Sequence, residues 1–257
     1  MKVAIANDTA ILESKDGNTH FGCRMVMAAY HQLLAFRDIE VVGNPDKADL
    51  VLVNGEGSIH DDESIDLLEL AERWPCVLMN CVFQDISPAY SHLLQNFKHI
   101  TVRESMSANY METHGYKPEI VPDLIFSYTL PSFTAKKRDD LFISDACRSS
   151  SYEVGYRSFL VRDPRYVEKM STYRHACCGR FHSICIAAML NMLFSAYSSN
   201  TWKNKSLMAD MGVPELYADS QEDAMKIVPY VCPDSVKRYV SDAKVKINSL
   251  FDRLRDI

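Results

Sequence analysis

The sequence predicts an α/β protein: a doubly wound, mostly parallel sheet followed by a second, smaller α/β domain. Short apolar runs that stop abruptly at polar or glycine-bearing loops recur from the N-terminus to about residue 123, as buried parallel strands do at their carboxyl ends. Between them lie stretches whose apolar residues return at helical steps of three and four. Such regular alternation of strand and helix is the signature of an open α/β sheet. A stretch from Pro131 to Asp139 with Pro, Ser, Thr and a Lys-Lys-Arg run reads as a linker. It sets an N-terminal Rossmann-like domain over 1–130 and a C-terminal α/β domain with a terminal helix over 131–257.

The elements follow in order. Lys2 to Ala6 is an apolar run that breaks at Asn7-Asp8-Thr9. Met25, Val26, Ala29, Leu33 and Leu34 then recur at helical spacing, and Ile39 to Val42 is the next strand. Ala48 to Val53 is a third strand, running into Asn54-Gly55-Glu56-Gly57-Ser58-Ile59-His60, where two glycines permit a tight turn. A helix over Glu63 to Arg73 leads to a strand at Cys76 to Cys81, and a helix from Tyr90 to Phe97 leads to Ile100-Thr101-Val102. Ser105 to Thr113 is helical before Glu119-Ile120-Val121-Pro122-Asp123. In the second half, Leu141 to Ser144 is a strand, and polar, tyrosine-bearing sequence continues to His175. Ser183 to Met192 is an apolar helix and Leu193 to Tyr197 a strand.

The chain has 257 residues, 47% hydrophobic and 24% charged, with only 9 glycines and 10 prolines, which argues for a folded globular protein. No apolar run reaches the roughly 20 residues needed to span a bilayer, and the N-terminus lacks a secretory pattern. The expectation is a cytoplasmic protein without a transmembrane segment. Most of the 8 cysteines fall inside apolar segments, as do Cys76, Cys81, Cys147 and Cys185, and read as reduced core residues. The net charge of −6 argues against a dominant interaction with a polyanion. Lys237, Arg238, Lys244, Lys246, Arg253 and Arg255 form the nearest basic patch, but Val236, Val240, Ala243, Ile247, Leu250 and Leu254 make that tail an amphipathic surface helix. Nothing in the sequence sets an oligomeric state.

Four loops fall where strands end or helices begin, the place where open α/β sheets bind ligands. The first joins Asn7 and Asp8 with Asn18, His20, Gly22 and Cys23; capping explains it as readily as anion binding at a helix N-terminus. The second is the glycine turn, where Gly55, Gly57 and Ser58 admit a ligand to the backbone and Glu56 and His60 add acid-base capacity. Such turns are common in α/β proteins. The third places Arg103 ahead of Ser105, then Pro122 and Asp123; Arg103 binds a phosphate or pairs with a carboxylate. The fourth is Gly179-Arg180-Phe181-His182 before the apolar helix, with Asn200, Thr201 and Lys203 further on. A guanidinium beside an imidazole can neutralise a phosphate and move a proton.

In order, spacing and surrounding strands, these loops over Asn7 to Gly212 resemble the polysaccharide pyruvyl transferase family. The matching elements are the asparagine-and-glycine loop at Asn18 to Cys23, the alanine-aspartate strand and glycine turn at Ala48 to Ser58, Arg103 and Ser105 with Pro122-Asp123, and Arg180-Phe181-His182 with Lys203. Two positions depart: Gly22-Cys23 stands where the family has Gly-Asp, and Glu56 where many members have glycine. The chain also ends early for the family, so an acceptor-binding extension is expected to be absent. These departures bear on the donor more than on the fold.

The resemblance implies two Rossmann-like domains facing a cleft, a GT-B-like arrangement, with the second domain smaller. It implies a phosphoenolpyruvate donor, a sugar or glycan acceptor with neighbouring hydroxyls, and no cofactor. Protonation of the enol carbon and hydroxyl attack require an acid, a base and phosphate-neutralising cations. His182, Arg180 and Glu56 are the expected catalytic residues. Arg103, Lys203, Asn200, Thr201, Gly55, Gly57 and Ser58 are the expected donor contacts, and Asn7, Asp8, Asn18, His20 and His60 the acceptor contacts. Two other readings stay open. One is a nucleotide-sugar glycosyltransferase acting on a glycan or a hydroxylated DNA base, although a nucleic acid acceptor is not favoured; the other is a non-catalytic glycan- or nucleotide-binding protein. His175, Cys177, Cys178 and His182 match no common zinc spacing, so no metal is expected, and His92, His99 and His114 read as structural.

Overall fold

The computed structural model describes residues 1–10, 20–133, 138–146, 165–227, 229 and 231–257. The chain divides into two compact units. The first comprises Met1–Gly17, Cys23–Ser127 and Ala243–Ile257, and the second Asn18–Gly22 and Tyr128–Asp242.

The strands of the first unit are β1 (Lys2–Ala6), β2 (Glu40–Val41), β3 (Leu50–Asn54), β4 (Ile59–His60), β5 (Cys76–Cys81), β6 (Phe83–Gln84), β7 (His99–Val102) and β8 (Glu119–Ile120). Six of them form one sheet in the order β2-β1-β3-β5-β7-β8, parallel throughout. β4 and β6 pair separately, also in parallel. Every residue of β3 and β5 is buried, as expected of central strands covered on both faces. The order reverses at β1: one neighbour is β2 and the other β3. In open α/β sheets such a reversal, here between β1 and β3, marks the place outside the carboxyl ends of the strands where ligands bind.

Helices α1 (Phe21–Ala35), α2 (Asp66–Glu69), α3 (Ser91–Leu94) and α4 (Ser105–Thr113) connect these strands. In α1, Met25, Val26, Ala29, Tyr30, Leu33 and Leu34 are buried while Arg24, His31 and Gln32 are exposed, the stripe its spacing predicts. α4 begins where the Glu104 side chain caps the Ser107 amide at 3.1 Å. The helix expected over Glu63 to Arg73 is shorter than its periodicity suggests. Asp61, Asp62 and Ser64 sit in the left-handed region (φ 53°, 57° and 60°), so helical geometry cannot begin before them; α2 and a 3₁₀ turn at Leu70–Glu72 follow. Likewise the helix expected over Tyr90 to Phe97 is a Ser87-capped 3₁₀ turn at Pro88–Tyr90 running into α3.

The second unit holds β9 (Arg138–Ala146), β10 (Tyr173–Gly179), β11 (Leu193–Tyr197) and β12 (Tyr217–Ala218), parallel in the order β12-β11-β10-β9. Its helices are α5 (Tyr166–Ser171), α6 (Phe181–Met189), α7 (Lys203–Asp210) and α8 (Gln221–Lys226). Helix α9 (Asp234–Asp252) begins in this unit and ends in the first. It buries Val236, Ala243, Ile247 and Leu250 and exposes Lys237, Arg238, Lys244 and Lys246, so the basic tail is the solvated face of an amphipathic helix. α6 starts two residues earlier than its apolar run suggests. It stops at Met189, where Asn191 takes φ 53°.

Of the cysteines expected in the core, Cys76, Cys81 and Cys185 are buried free thiols, whereas Cys147 lies outside the described residues. Among the described residues no helix is long and apolar enough to cross a membrane.

Candidate functional site

In the first unit the switch-point loops bind one another. Asn7, the residue after β1, is in the left-handed region (φ 61°), a conformation asparagine tolerates better than most residues. Its Nδ2 donates to the Asn54 carbonyl at 2.6 Å and the Glu56 carbonyl at 3.2 Å. Asn54, fully buried at the end of β3, donates back to the Asn7 carbonyl at 3.2 Å, and its Oδ1 accepts the Glu56 amide at 3.2 Å. Glu56 is itself buried, and its Oε2 accepts the Thr9 hydroxyl at 2.6 Å. The loops after β1 and β3 are thereby locked into one polar frame with a carboxylate inside it.

The glycine turn works by close approach. A Cβ on Gly55 would come within 2.7 Å of Cys81 Cβ, and Gly57 and Ser58 follow at φ 97° and 84°. The buried Ser58 hydroxyl has no hydrogen-bond partner among the described residues. His60 is buried in β4 with Nδ1 2.9 Å from Asp61 Oδ2, while Asp8 accepts the Ala10 amide at 3.1 Å. Asn18 lies outside the described residues.

Arg103, expected among the donor contacts, stands at the end of β7 with its Nη1 2.7 Å from Asp123 Oδ2. Both side chains are buried, at 2% and 0% exposure, so the carboxylate-pairing alternative is the one seen. Burial pushes the neighbouring Cys81 thiol up to about 12, so it stays protonated near neutrality and offers no thiolate nucleophile.

In the second unit the candidate residues gather at the carboxyl ends of β9, β10 and β11. Arg180 follows β10 as the N-cap of α6, and its Nε and Nη2 donate to Asp145 Oδ2 at 3.0 and 2.6 Å. His182 is buried in the first turn of α6. Lys203, buried at the start of α7, donates from Nζ to Asn200 Oδ1 at 2.7 Å. Thr201 is buried with no partner for its hydroxyl among the described residues. The arrangement collects two cations, an imidazole and free hydroxyl capacity on adjacent strand ends. His20 belongs to this unit by its contacts: its ring meets the His182 ring edge-on, with centroids 5.6 Å apart.

Three residues to which the sequence assigns no role organise these groups. Asp145 orients Arg180, and a Ser-Asp pair ending a strand would have been its only signal. Asn54 ties the switch-point loops. Asn204 is fully buried and donates from Nδ2 to the Gly179 and Tyr197 carbonyls at 3.0 and 2.8 Å, joining the ends of β10 and β11. No group of three or more His, Cys, Asp or Glu side chains placed to hold a metal occurs among the described residues. In β10, Cys177 and Cys178 alternate to opposite faces, so the adjacent cysteines do not converge. The three histidines read as structural contact neighbouring groups: His92 the Ala89 carbonyl, His99 Glu119, and His114 Ser91.

The sequence model of the family described as polysaccharide pyruvyl transferase matches residues 7–192. The match contains both polar loops of the first unit and the Arg180-Phe181-His182 turn, and stops short of Asn200, Thr201 and Lys203. A solved structure of a protein of uncharacterised function from Klebsiella pneumoniae superposes with a TM-score of 0.61 at 13% identity, covering 85% of this chain and 92% of the other. At that identity the likeness concerns the fold. No curated protein matches the sequence.

Proposed function

The chain belongs to the polysaccharide pyruvyl transferase family, and from that premise we propose that it transfers a pyruvyl group from phosphoenolpyruvate to vicinal hydroxyls of a sugar or glycan, forming a ketal. The observation that carries the reading is the Arg180 to His182 turn. Asp145 holds the guanidinium by two hydrogen bonds to one oxygen, and the imidazole sits two residues on, buried in the first turn of α6. His182 gives a proton to the enol carbon. Positive character then develops at the carbon bearing phosphate, an acceptor hydroxyl attacks it, and the second hydroxyl displaces phosphate while the hydroxyl protons pass to base. Arg180 and Lys203 neutralise the departing phosphate, and Asn200 and Thr201 complete its contacts.

Asn7, Asp8 and His60 would contact the sugar, Glu56 would draw a proton from its hydroxyl, and Gly55, Gly57 and Ser58 would leave the backbone open to the donor. Arg103 supports the loop through Asp123. The buried free thiols suit a reducing compartment, so we place the protein in the cytoplasm.

A thermal-shift panel tests the donor. Phosphoenolpyruvate should stabilise the protein by about 2.7 kcal/mol at 100 times its Kd, and the Arg180→Ala variant should lose that response. Stabilisation by a nucleotide sugar alone would overturn the pyruvyl reading in favour of a glycosyltransferase. Donor binding without turnover on any sugar acceptor would favour a non-catalytic binding protein.

A further inference from the structure

We infer that Gly22 and His20 are positioning residues that fix the imidazole of His182. The inference rests on the reading of His182 as the acid of the reaction, and the geometry behind it comes from three observations within the second unit. First, Gly22 has no room for a side chain. A Cβ built there would lie 2.6 Å from His182 Cβ and closer still to the ring, so the Gly22 backbone is itself one wall of the imidazole's slot. Second, the His20 ring packs edge-on against the His182 ring with centroids 5.6 Å apart, an arrangement rings prefer, and His20 is buried. Third, the Gly22 amide donates to His20 Nδ1 at 3.1 Å. An accepting Nδ1 places the His20 proton on Nε2, which fixes the tautomer and the orientation of that ring. Two residues thus make a short brace: Gly22 contacts His182 directly and also holds the ring that contacts it from another side.

The brace accounts for a position that helix propensity disfavours. Gly22 is the second residue of α1, where glycine is a poorer helix former than alanine. If Gly22 served the helix alone, Gly22→Ala would stabilise the protein. With the imidazole in the way, alanine must displace either the first turn of α1 or the His182 ring. His20 accordingly acts through His182.

The test is proton-carbon NMR of the full-length protein labelled at histidine, with His182 assigned by His182→Gln. In Gly22→Ala and in His20→Ala the His182 ring resonances should shift or broaden, while histidines other than His20 and His182 keep their positions. His20→Phe, which keeps an aromatic edge, should restore the His182 resonances toward their wild-type positions. Nitrogen shifts of His20 should report an unprotonated Nδ1 and a protonated Nε2. If pyruvyl transfer is established, both alanine variants should lower kcat at least tenfold with the donor KM within about twofold. Unmoved His182 resonances in His20→Ala overturn the inference even if Gly22→Ala fails to fold. Absence of pyruvyl transfer in the wild type overturns the proposed reaction and leaves the resonance test standing, so the two failures are told apart.

Discussion

The Arg103 guanidinium and the Asp123 carboxylate meet at 2.7 Å with both side chains buried, joining the end of β7 to the segment after β8. An ion pair this deep is costly to assemble and more costly to break. Removing one partner strands a charge in a medium that solvates it poorly. Asp123→Ala should therefore destabilise the protein by about 3–5 kcal/mol, measured by urea denaturation. A loss under 1 kcal/mol would mean that water or another group readily takes over the guanidinium.

Tyr30 presents the opposite case. Its ring is fully buried in α1, 6.0 Å from the Phe251 ring in an edge-on contact, and its hydroxyl has no partner among the described residues. A buried hydroxyl without a hydrogen bond costs about 1–3 kcal/mol, whereas the ring keeps its packing when the oxygen is removed. Tyr30→Phe should raise stability by about 1 kcal/mol without altering donor affinity. A fall in stability would reveal a partner for that hydroxyl.

Much of this architecture is legible in the sequence, for a simple reason: strands buried on both faces are written as largely apolar runs. Cys76 to Cys81 and Leu193 to Tyr197 were read with the bounds the structure gives them, and Ser105 to Thr113 likewise. β10 was missed because Arg174 and His175 interrupt its apolar run, and they are exposed and half-buried at its entry, where a strand tolerates polar side chains. The Asn7 to Asn54 lock was not legible at all. It depends on β1 lying beside β3, and strand order is set by packing between segments 47 residues apart, not by any local pattern. For the same reason the sequence marks Arg180 but not its partner Asp145, and sets Asp123 in the same motif as Arg103 without deciding whether the two pair.

Alkaline pH offers a test of the buried thiols. Burial pushes Cys76 and Cys81 up to about 12 and Cys177 to about 11, from an ordinary value of 9.0. Burial likewise raises the Tyr30 and Tyr166 hydroxyls well above 10.0. A raised folded value means the folded state holds its proton more tightly than the unfolded one. The associated stability is complete below about pH 9 and is lost as pH rises toward the folded values. Each thiol should remove roughly 1 kcal/mol per pH unit in that window. Urea denaturation at pH 8, 9 and 10 should show stability level to pH 9 and falling beyond it. A rise above pH 9 would contradict protonated buried thiols.

Arg180 separates binding from folding. Its side chain is 22% exposed but that of its partner Asp145 only 5%, so stability depends on keeping a cation beside the buried carboxylate. Its two hydrogen bonds to one carboxylate oxygen hold the planar group in a fixed attitude beside the α6 N-terminus. Lysine keeps the charge but lacks the fork that makes those two bonds. Arg180→Lys should therefore leave the urea midpoint nearly unchanged while lowering kcat/KM for phosphoenolpyruvate by about 10–100-fold, equivalent to roughly 1.4–2.7 kcal/mol of transition-state stabilisation. Equal losses in stability and activity would make Arg180 a structural residue; unchanged activity would remove it from the donor site and leave Lys203 as the cation to examine.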